Sequence, residues 1–173
     1  MEVTPQHVVV MGVSGSGKTT IASCLSEHLG WIAAEADEFH SAANIAKMTA
    51  GIPLTDDDRG PWLAAIRDWM SIQARHGRST IVTCSALKRS YRNELRTAEG
   101  DVHFVHLSGA PDVLRERMKT RSGHFMPPAL LASQLATLEP LEPAEPGITV
   151  DIMLTPPEIA QDILQRLKLP QNR

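Results

Sequence analysis

Residues Gly12-Val-Ser-Gly-Ser-Gly-Lys18-Thr19 spell G-x-x-x-x-G-K-[ST] and stand between an apolar run and a helical pattern. The run His7-Val8-Val9-Val10-Met11 reads as a buried strand, and Ile21, Leu25 and Leu29 follow at i, i+4 and i+8. Strand, glycine loop and helix, in that order, form the setting in which this motif cradles phosphate. Its glycines let successive backbone N–H groups turn inward, and the helix start adds the positive end of its dipole. Gly12, Ser14, Gly15, Ser16, Gly17, Lys18, Thr19 and Thr20 are therefore the candidate nucleotide-binding residues. In this motif the lysine reaches the β- and γ-phosphates, and the hydroxyl of Thr19 can ligate Mg²⁺. A nucleoside triphosphate is implied.

The rest of the chain is one long alternation of strand and helix patterns, which predicts a parallel sheet in an α/β fold. After the helix Lys18–Leu29, closed by Gly30, comes a second strand at Trp31–Glu35 and a short helix at Asn44–Ala50. Thr55-Asp56-Asp57-Asp58 reads as a capping box, and Trp62, Ile66, Trp69 and Met70 stripe the helix behind it. A third strand is expected at Thr80–Cys84, a helix at Lys88–Arg96, and a fourth strand at Val102–Leu107. Pro111 suits the first position of the next helix, whose buried face is Val113, Leu114 and Met118. Thr120–Pro127 breaks that pattern before a helix at Ala129–Leu138, so the basic segment 117–128 reads as a mobile lid. Glu139–Pro146 reads as a surface connection, Ile148–Leu154 as the fifth strand, and Thr155-Pro156-Pro157-Glu158 as the cap of the last helix. At 173 residues all of this fits a single domain, 1–173.

Composition narrows the partners. A net charge of −3 argues against nucleic acid, and no apolar stretch reaches the length of a membrane span. The N-terminus lacks the basic and apolar regions of a secretory signal, so a cytoplasmic location is expected. Cys24 and Cys84 are too scattered for a metal motif and read as buried thiols. His103 and His106 fall on opposite faces of one strand and make no zinc site.

A glycine loop alone leaves kinase, GTPase and motor open. No N-K-x-D segment selects guanine, and no acid ends the third strand. A small five-stranded domain with a basic flap suits a small-molecule kinase, which must exclude water from the transferring phosphate. Further blocks then match a family. Asp37-x-Phe39-His40, Asn44-Ile45-x-Lys47-Met48, Gly51-x-Pro53-Leu54-x-Asp56-x-Asp58-Arg59-x-Pro61-Trp62-Leu63 and Cys84-Ser85-Ala86-Leu87-Lys88 together resemble the gluconokinases. Tyr91-Arg92, Leu95-Arg96 and Gly123-His124-Phe125 extend the resemblance to nearly the whole chain. It implies the P-loop nucleoside-triphosphate hydrolase fold, with parallel strand order 2-3-1-4-5, a substrate-binding segment at 37–63 and a lid. It implies transfer of the ATP γ-phosphate to D-gluconate, with Mg²⁺, and a homodimer. Two departures stand out: Ala36 where the family usually has glycine, and Ser41 where it usually has proline.

Asp37, just past the second strand, is the candidate base for the C6 hydroxyl, a helix N-cap being the plainer reading. His40 could bond substrate hydroxyls or simply be an exposed helix histidine. A sugar-acid carboxylate asks for a guanidinium fork, for which Arg59 is first choice against a surface pair with Asp56 or Asp57. Lys88 and Arg92 are secondary candidates, since their helix would show a solvated basic face in any case, and Ser85 offers backbone N–H groups nearby. By resemblance, Arg117 would stack on adenine and Arg121 would close on the transferring phosphate, plain helix solvation with Glu116 being the alternative. His124 is a further substrate candidate, and Pro156 either walls the adenine slot or merely caps the last helix. Kinases of shikimate or another small hydroxy acid, and a nucleotide-gated binding module without catalysis, are the competing functions.

Overall fold

Apolar runs short enough to be strands and amphipathic stretches long enough to be helices alternate through the chain, and each took the form its period dictates. The computed structural model describes residues 3–120 and 128–170. Its elements are β1 (Gln6–Met11), α1 (Lys18–Leu29), β2 (Ile32–Glu35), a 3-10 turn (Ala36–Phe39), α2 (Ala42–Thr49), α3 (Asp56–Arg75) and β3 (Thr80–Thr83). They continue with α4 (Arg89–Leu95), β4 (Asp101–Ser108), α5 (Pro111–Thr120), α6 (Pro128–Thr137), β5 (Gly147–Asp151) and α7 (Pro156–Arg166). The five strands form one sheet in the order β2-β3-β1-β4-β5. Every pairing is parallel, with Val9 of β1 opposite Val82 of β3 and Phe104 of β4.

Both faces of the sheet are covered, which is why its central strands are apolar throughout rather than alternating. Val8, Val10, Ile81, Val105 and Val150 pack with Ile21 and Leu25 of α1 and with Ile159 and Ile163 of α7. On the opposite face Val9, Met11, Val82 and Phe104 pack with Trp62, Ile66 and Met70 of α3 and with Tyr91 and Leu95 of α4. β1 lies at the centre, so the glycine loop that follows it emerges at the carboxyl edge where strand order reverses. Parallel sheets bind their ligands there.

Local chemistry sets the helix starts. Thr55 and Asp58 form the capping box of α3, and Thr155 and Glu158 form that of α7, with Pro156 at its first position. Pro61 sits inside α3 and removes one N–H from the ladder, but Asp57, Gly60 and Pro61 are exposed, so water can serve the freed carbonyl.

Three expectations needed correction. β5 stops at Asp151 rather than Leu154, because the Asp151 carboxylate accepts from Met153 N at 2.9 Å and turns the chain. The connection 139–146 is not all surface, since Glu145 is only 5% exposed. Cys24 is half-buried rather than buried; Cys84 is buried, and both are free thiols. Among the described residues, no helix is long and apolar enough to cross a membrane.

Several histidines sit where burial disfavours their charged form. His7 is fully buried, with Nδ1 2.7 Å from the Thr80 hydroxyl and Nε2 2.8 Å from the Glu99 carbonyl. A carbonyl only accepts, so Nε2 carries the proton and Nδ1 accepts from Thr80. Burial holds the pKa of His7, His103 and His106 below the usual 6.5, and the Arg92 charge adds to this at His106. A depressed folded-state pKa means the unfolded chain takes up the protons first as pH falls. The histidine contribution is thus complete above the unfolded value of 6.5 and is lost as pH drops through the lower folded values. The thermal midpoint is expected to fall as pH drops below about 6.5, and His7→Gln to flatten that slope. An unchanged slope in His7→Gln would show that His7 does not carry it.

Candidate active site

The glycine loop is shaped by contacts that no side chain at its glycines would permit. Gly12 has φ 148°, and a Cβ there would stand 2.8 Å from Ser16 Oγ and 2.9 Å from the Leu107 carbonyl. Ser16 is 1% exposed, and among the described residues its hydroxyl has no hydrogen-bond partner. An orphaned donor inside such a loop suits a phosphate oxygen. Gly17 is the N-cap of α1 in a left-handed conformation, and no side chain caps the helix. Its first N–H groups are thus left for an anion. Lys18 Nζ donates to the carbonyls of Gly12, at 2.9 Å, and Val13, at 3.2 Å, drawing the ammonium across the first half of the loop. Thr19 and Thr20 are exposed at the helix start, and Ser14 and Gly15 are half-buried. The loop fits a triphosphate, and the Thr19 hydroxyl is where a Mg²⁺ bridging its phosphates would be held. Mg²⁺ needs few protein ligands beside phosphates. Among the described residues no group of three or more His, Cys, Asp or Glu side chains could hold a metal ion.

Arg117 on α5 lies beside this loop. Its guanidinium comes within 3.9 Å of where a Cβ on Gly17 would be, and it donates to the Ile152 carbonyl at 2.7 Å. It therefore links the end of the loop to the turn that leads into Pro156, which is exposed. Arg121 and His124 lie outside the described residues.

Asp37 stands in the 3-10 turn directly after β2 and is exposed. It is not a helix cap: Glu35 holds that position, and no side chain caps the turn. Instead α3 fixes the turn. Trp62 Nε1 donates to the Ala36 carbonyl at 2.7 Å, and His40 stacks on the Trp62 ring with centroids 4.3 Å apart and planes 9° apart. Phe39 meets Trp69 edge-on at 5.8 Å. Trp62 and Trp69 are thus core supports of the turn, and His40 is a stacked side chain rather than a free one. Burial holds its pKa below the usual value; the Asp37 charge opposes that and the Arg59 charge adds to it. The two departures from the family pattern are absorbed locally. Ala36 is buried, and Ser41 serves as N-cap of α2, accepting from Asn44 N at 3.1 Å.

Cys84, just past β3, is buried among the apolar residues on the α3 side of the sheet. Burial pushes its thiol up to about 12, and the Ala86 N–H opposes that. The charges of Lys18 and Arg59 favour the thiolate, and Asp37 disfavours it.

The ends of α3 and α4 form a network that the sequence pattern did not display. Asp56 pairs with Lys88 at 3.1 Å and accepts from the Tyr91 hydroxyl. Tyr91 and then Lys88 hold the Asp56 carboxyl below its usual range. Arg59 donates to the Tyr91 oxygen at 3.1 Å, and Arg59 and Lys88 lie 5.6 Å and 5.5 Å from the Tyr91 ring centroid. Arg59 therefore makes no surface pair with Asp56 or Asp57 among its described contacts. Asp56 is more than part of a capped helix start. Asp58, besides capping, pairs with Lys47 at 2.8 Å, whose hydrogen bond helps hold its carboxyl down to about 2. Thr83 donates to the Glu35 carboxylate at the same sheet edge.

Arg92 is the clearest correction. The solvated face expected of its helix does not include it: both Arg92 and its partner Glu145 have fully buried side chains. Nε and Nη2 grip the two Glu145 oxygens at 2.7 Å and 3.0 Å, and Nη1 donates to the Ala86 carbonyl at 2.9 Å. With its fork occupied, Arg92 supports the turn after β3 rather than reaching a ligand. Ala86 in that turn has φ 45°, and Ser85, half-buried, accepts from Gly12 N at 3.3 Å. Glu145 and the link through the Tyr91 hydroxyl were missed because their importance is three-dimensional. In the sequence Tyr91 enters only as part of the resemblance block Tyr91-Arg92.

Similarity to known proteins fits this geometry. A family described as an AAA domain matches residues 8–141. The chain is 46% identical over 168 residues to the gluconokinase of Gluconobacter oxydans (strain 621H), covering 97% of this chain and 94% of that protein. It is 40% identical to the thermosensitive gluconokinase of Escherichia coli (strain K12), covering 97% of this chain and 91% of that one. The crystal structure of a gluconokinase from Sinorhizobium meliloti 1021 superposes with a TM-score of 0.85 at 46% identity, covering 95% and 93% of the two chains. With its glycine loop, its Asp37 turn and relatives that match it almost end to end, the chain belongs to the gluconokinase family of P-loop kinases.

Proposed function

We propose that this protein is a gluconokinase, transferring the γ-phosphoryl group of ATP to D-gluconate to give 6-phospho-D-gluconate and ADP. The observation that carries this is the glycine loop after β1 and the Asp37 turn after β2 at the same carboxyl edge of one parallel sheet, in a chain whose full-length relatives are gluconokinases. In this reading the glycine loop and Lys18 hold the triphosphate. The C6 hydroxyl oxygen attacks the γ-phosphorus, the bond to the bridging oxygen of ADP breaks, and Asp37 takes the hydroxyl proton. His40, Lys88 and the Ser85 turn line the acceptor side, with Arg59 as the fork for its carboxylate. Arg117 and Pro156 flank the adenine, and Arg121 and His124 act from the segment beyond α5. Mg²⁺, held through Thr19, would neutralise charge on the phosphates. The substrate-binding segment 37–63, the lid at 117–128, a homodimer and a cytoplasmic location belong to the same proposal.

ADP release measured by a coupled assay, across D-gluconate, shikimate, other sugar acids and no acceptor, tests it. ADP should appear only with gluconate or its near homologues. ADP released with shikimate but not gluconate would shift the acceptor, and no gluconate-dependent ADP would overturn the reading.

A further inference from the structure

Ser14, the third residue of the glycine loop, donates its backbone N–H to Oε1 of Gln134 at 2.8 Å, across 120 positions of sequence. Gln134 is half-buried on α6, a helix anchored in the core by Leu131 at 2% exposure. The C-terminal end of α6 is fixed to the acceptor side. Leu138 N donates to the Gln134 carbonyl at 2.9 Å, and the next residue, Glu139, donates its N–H to the Leu87 carbonyl at 2.7 Å. The Glu139 carboxylate in turn accepts from Arg89 N at 2.8 Å. Leu87 belongs to the turn whose Ser85 carbonyl accepts from Gly12 N. One helical turn therefore separates the side chain on the donor loop from the backbone joint to the turn after β3.

The chemistry of this contact has a direction. Ser14 N is a donor, so the Gln134 amide must present its oxygen to it, and among the described residues both N–H groups of Nε2 are left for another acceptor. Lys18 Nζ holds the carbonyls of Gly12 and Val13, the two residues before Ser14. In such loops that lysine marks the β/γ end of the triphosphate. A neutral donor pair held on the same loop, next in sequence to those two carbonyls, suits the group that carries developing charge in transfer.

We propose that Gln134 is a catalytic residue that contacts the transferring γ-phosphoryl group. Its Oε1 stays on Ser14 N–H while Nε2 donates to a γ-oxygen, so that α6 aligns the donor phosphate with the turn after β3. This rests on the phosphoryl-transfer reading above. It gives the chain a γ-phosphate contact on a helix tied to the core by Leu131 and followed by the Glu139–Leu87 joint, distinct from the basic residues beyond α5.

Gln134→Met keeps the shape and removes both hydrogen bonds; Gln134→Glu keeps the shape and sets a negative charge against the phosphate. For each full-length variant, calorimetric affinities for ADP and for a non-hydrolysable ATP analogue are measured without acceptor, and turnover is measured with gluconate. ADP affinity should stay within about twofold, analogue affinity should weaken about tenfold in Gln134→Met and more in Gln134→Glu, and turnover should fall about 10²-fold. Equal weakening of ADP and analogue, with a lowered thermal midpoint, would make Gln134 merely structural and overturn the proposal. So would turnover within about threefold of the parent. If the parent protein fails to phosphorylate gluconate, the acceptor assignment falls, yet the ADP-versus-analogue split still decides the role of Gln134.

Discussion

Asp37→Asn is expected to cut turnover with gluconate by about 10²–10⁴-fold while leaving ATP affinity within about threefold. The substitution keeps the size of the side chain and its place in the Ala36–Phe39 turn, which is fixed by Trp62 and Trp69 through contacts Asn does not disturb. What it removes is the ability to accept a proton. The loss should therefore appear in turnover rather than in the ground-state binding of either substrate. Asp37 is exposed at the sheet edge, so a structural cost of the change is small. Near-normal turnover would show that Asp37 only orients the hydroxyl or has no part in the step. A large loss in ATP affinity would instead place it on the donor side.

Arg92→Ala is expected to be the most destabilising single change outside the apolar core, by about 3–5 kcal/mol. It would strand the fully buried Glu145 carboxylate and free the Ala86 carbonyl from its donor. For a chain of this size that corresponds to a fall in thermal midpoint of roughly 6–20 °C. Burial raises the Glu145 carboxyl, but the Arg92 hydrogen bonds and the Glu142 N–H outweigh it and hold the group below its usual range. Without the guanidinium, that balance reverses. The paired replacement Arg92→Met with Glu145→Leu should recover much of the loss, because apolar residues of similar volume often substitute for a buried pair. It should stop short of full recovery by about 1–3 kcal/mol, the cost of the orphaned Ala86 carbonyl. Denaturant unfolding of the three proteins checks this, and an Arg92→Ala protein as stable as the parent would refute it.

The contrast between these two residues shows where the sequence was legible. Asp37 could be placed because it follows a strand in a parallel α/β pattern, and that position means the ligand-binding edge whatever the packing. Arg92 could not, because a helix of seven residues with two arginines, flanked by Lys88 and Arg96, looks solvated until its partner is known. Glu145 lies 53 positions away in a stretch rich in proline and glutamate. Nothing local distinguishes it from Glu139 or Glu142. Tyr91 is a similar case: its hydroxyl joins Asp56 to Arg59 across 35 and 32 positions, a link that no spacing rule encodes. The capping boxes at Thr55 and Thr155 were legible because their chemistry spans only three residues.

By itself, then, the sequence determined everything whose cause is local or periodic. The glycine loop dictates its own backbone, alternating periods dictate the strands and helices, and caps dictate where helices begin. Motif blocks in order dictated the family. Tertiary structure alone decided which charges are buried and which face a ligand, because that depends on partners brought together from distant parts of the chain. It turned Arg92 inward against Glu145, stacked His40 on Trp62 and set Gln134 against Ser14. Each is a hydrogen bond, ion pair or ring contact between side chains and backbone that only packing of the sheet and its helices brings within reach.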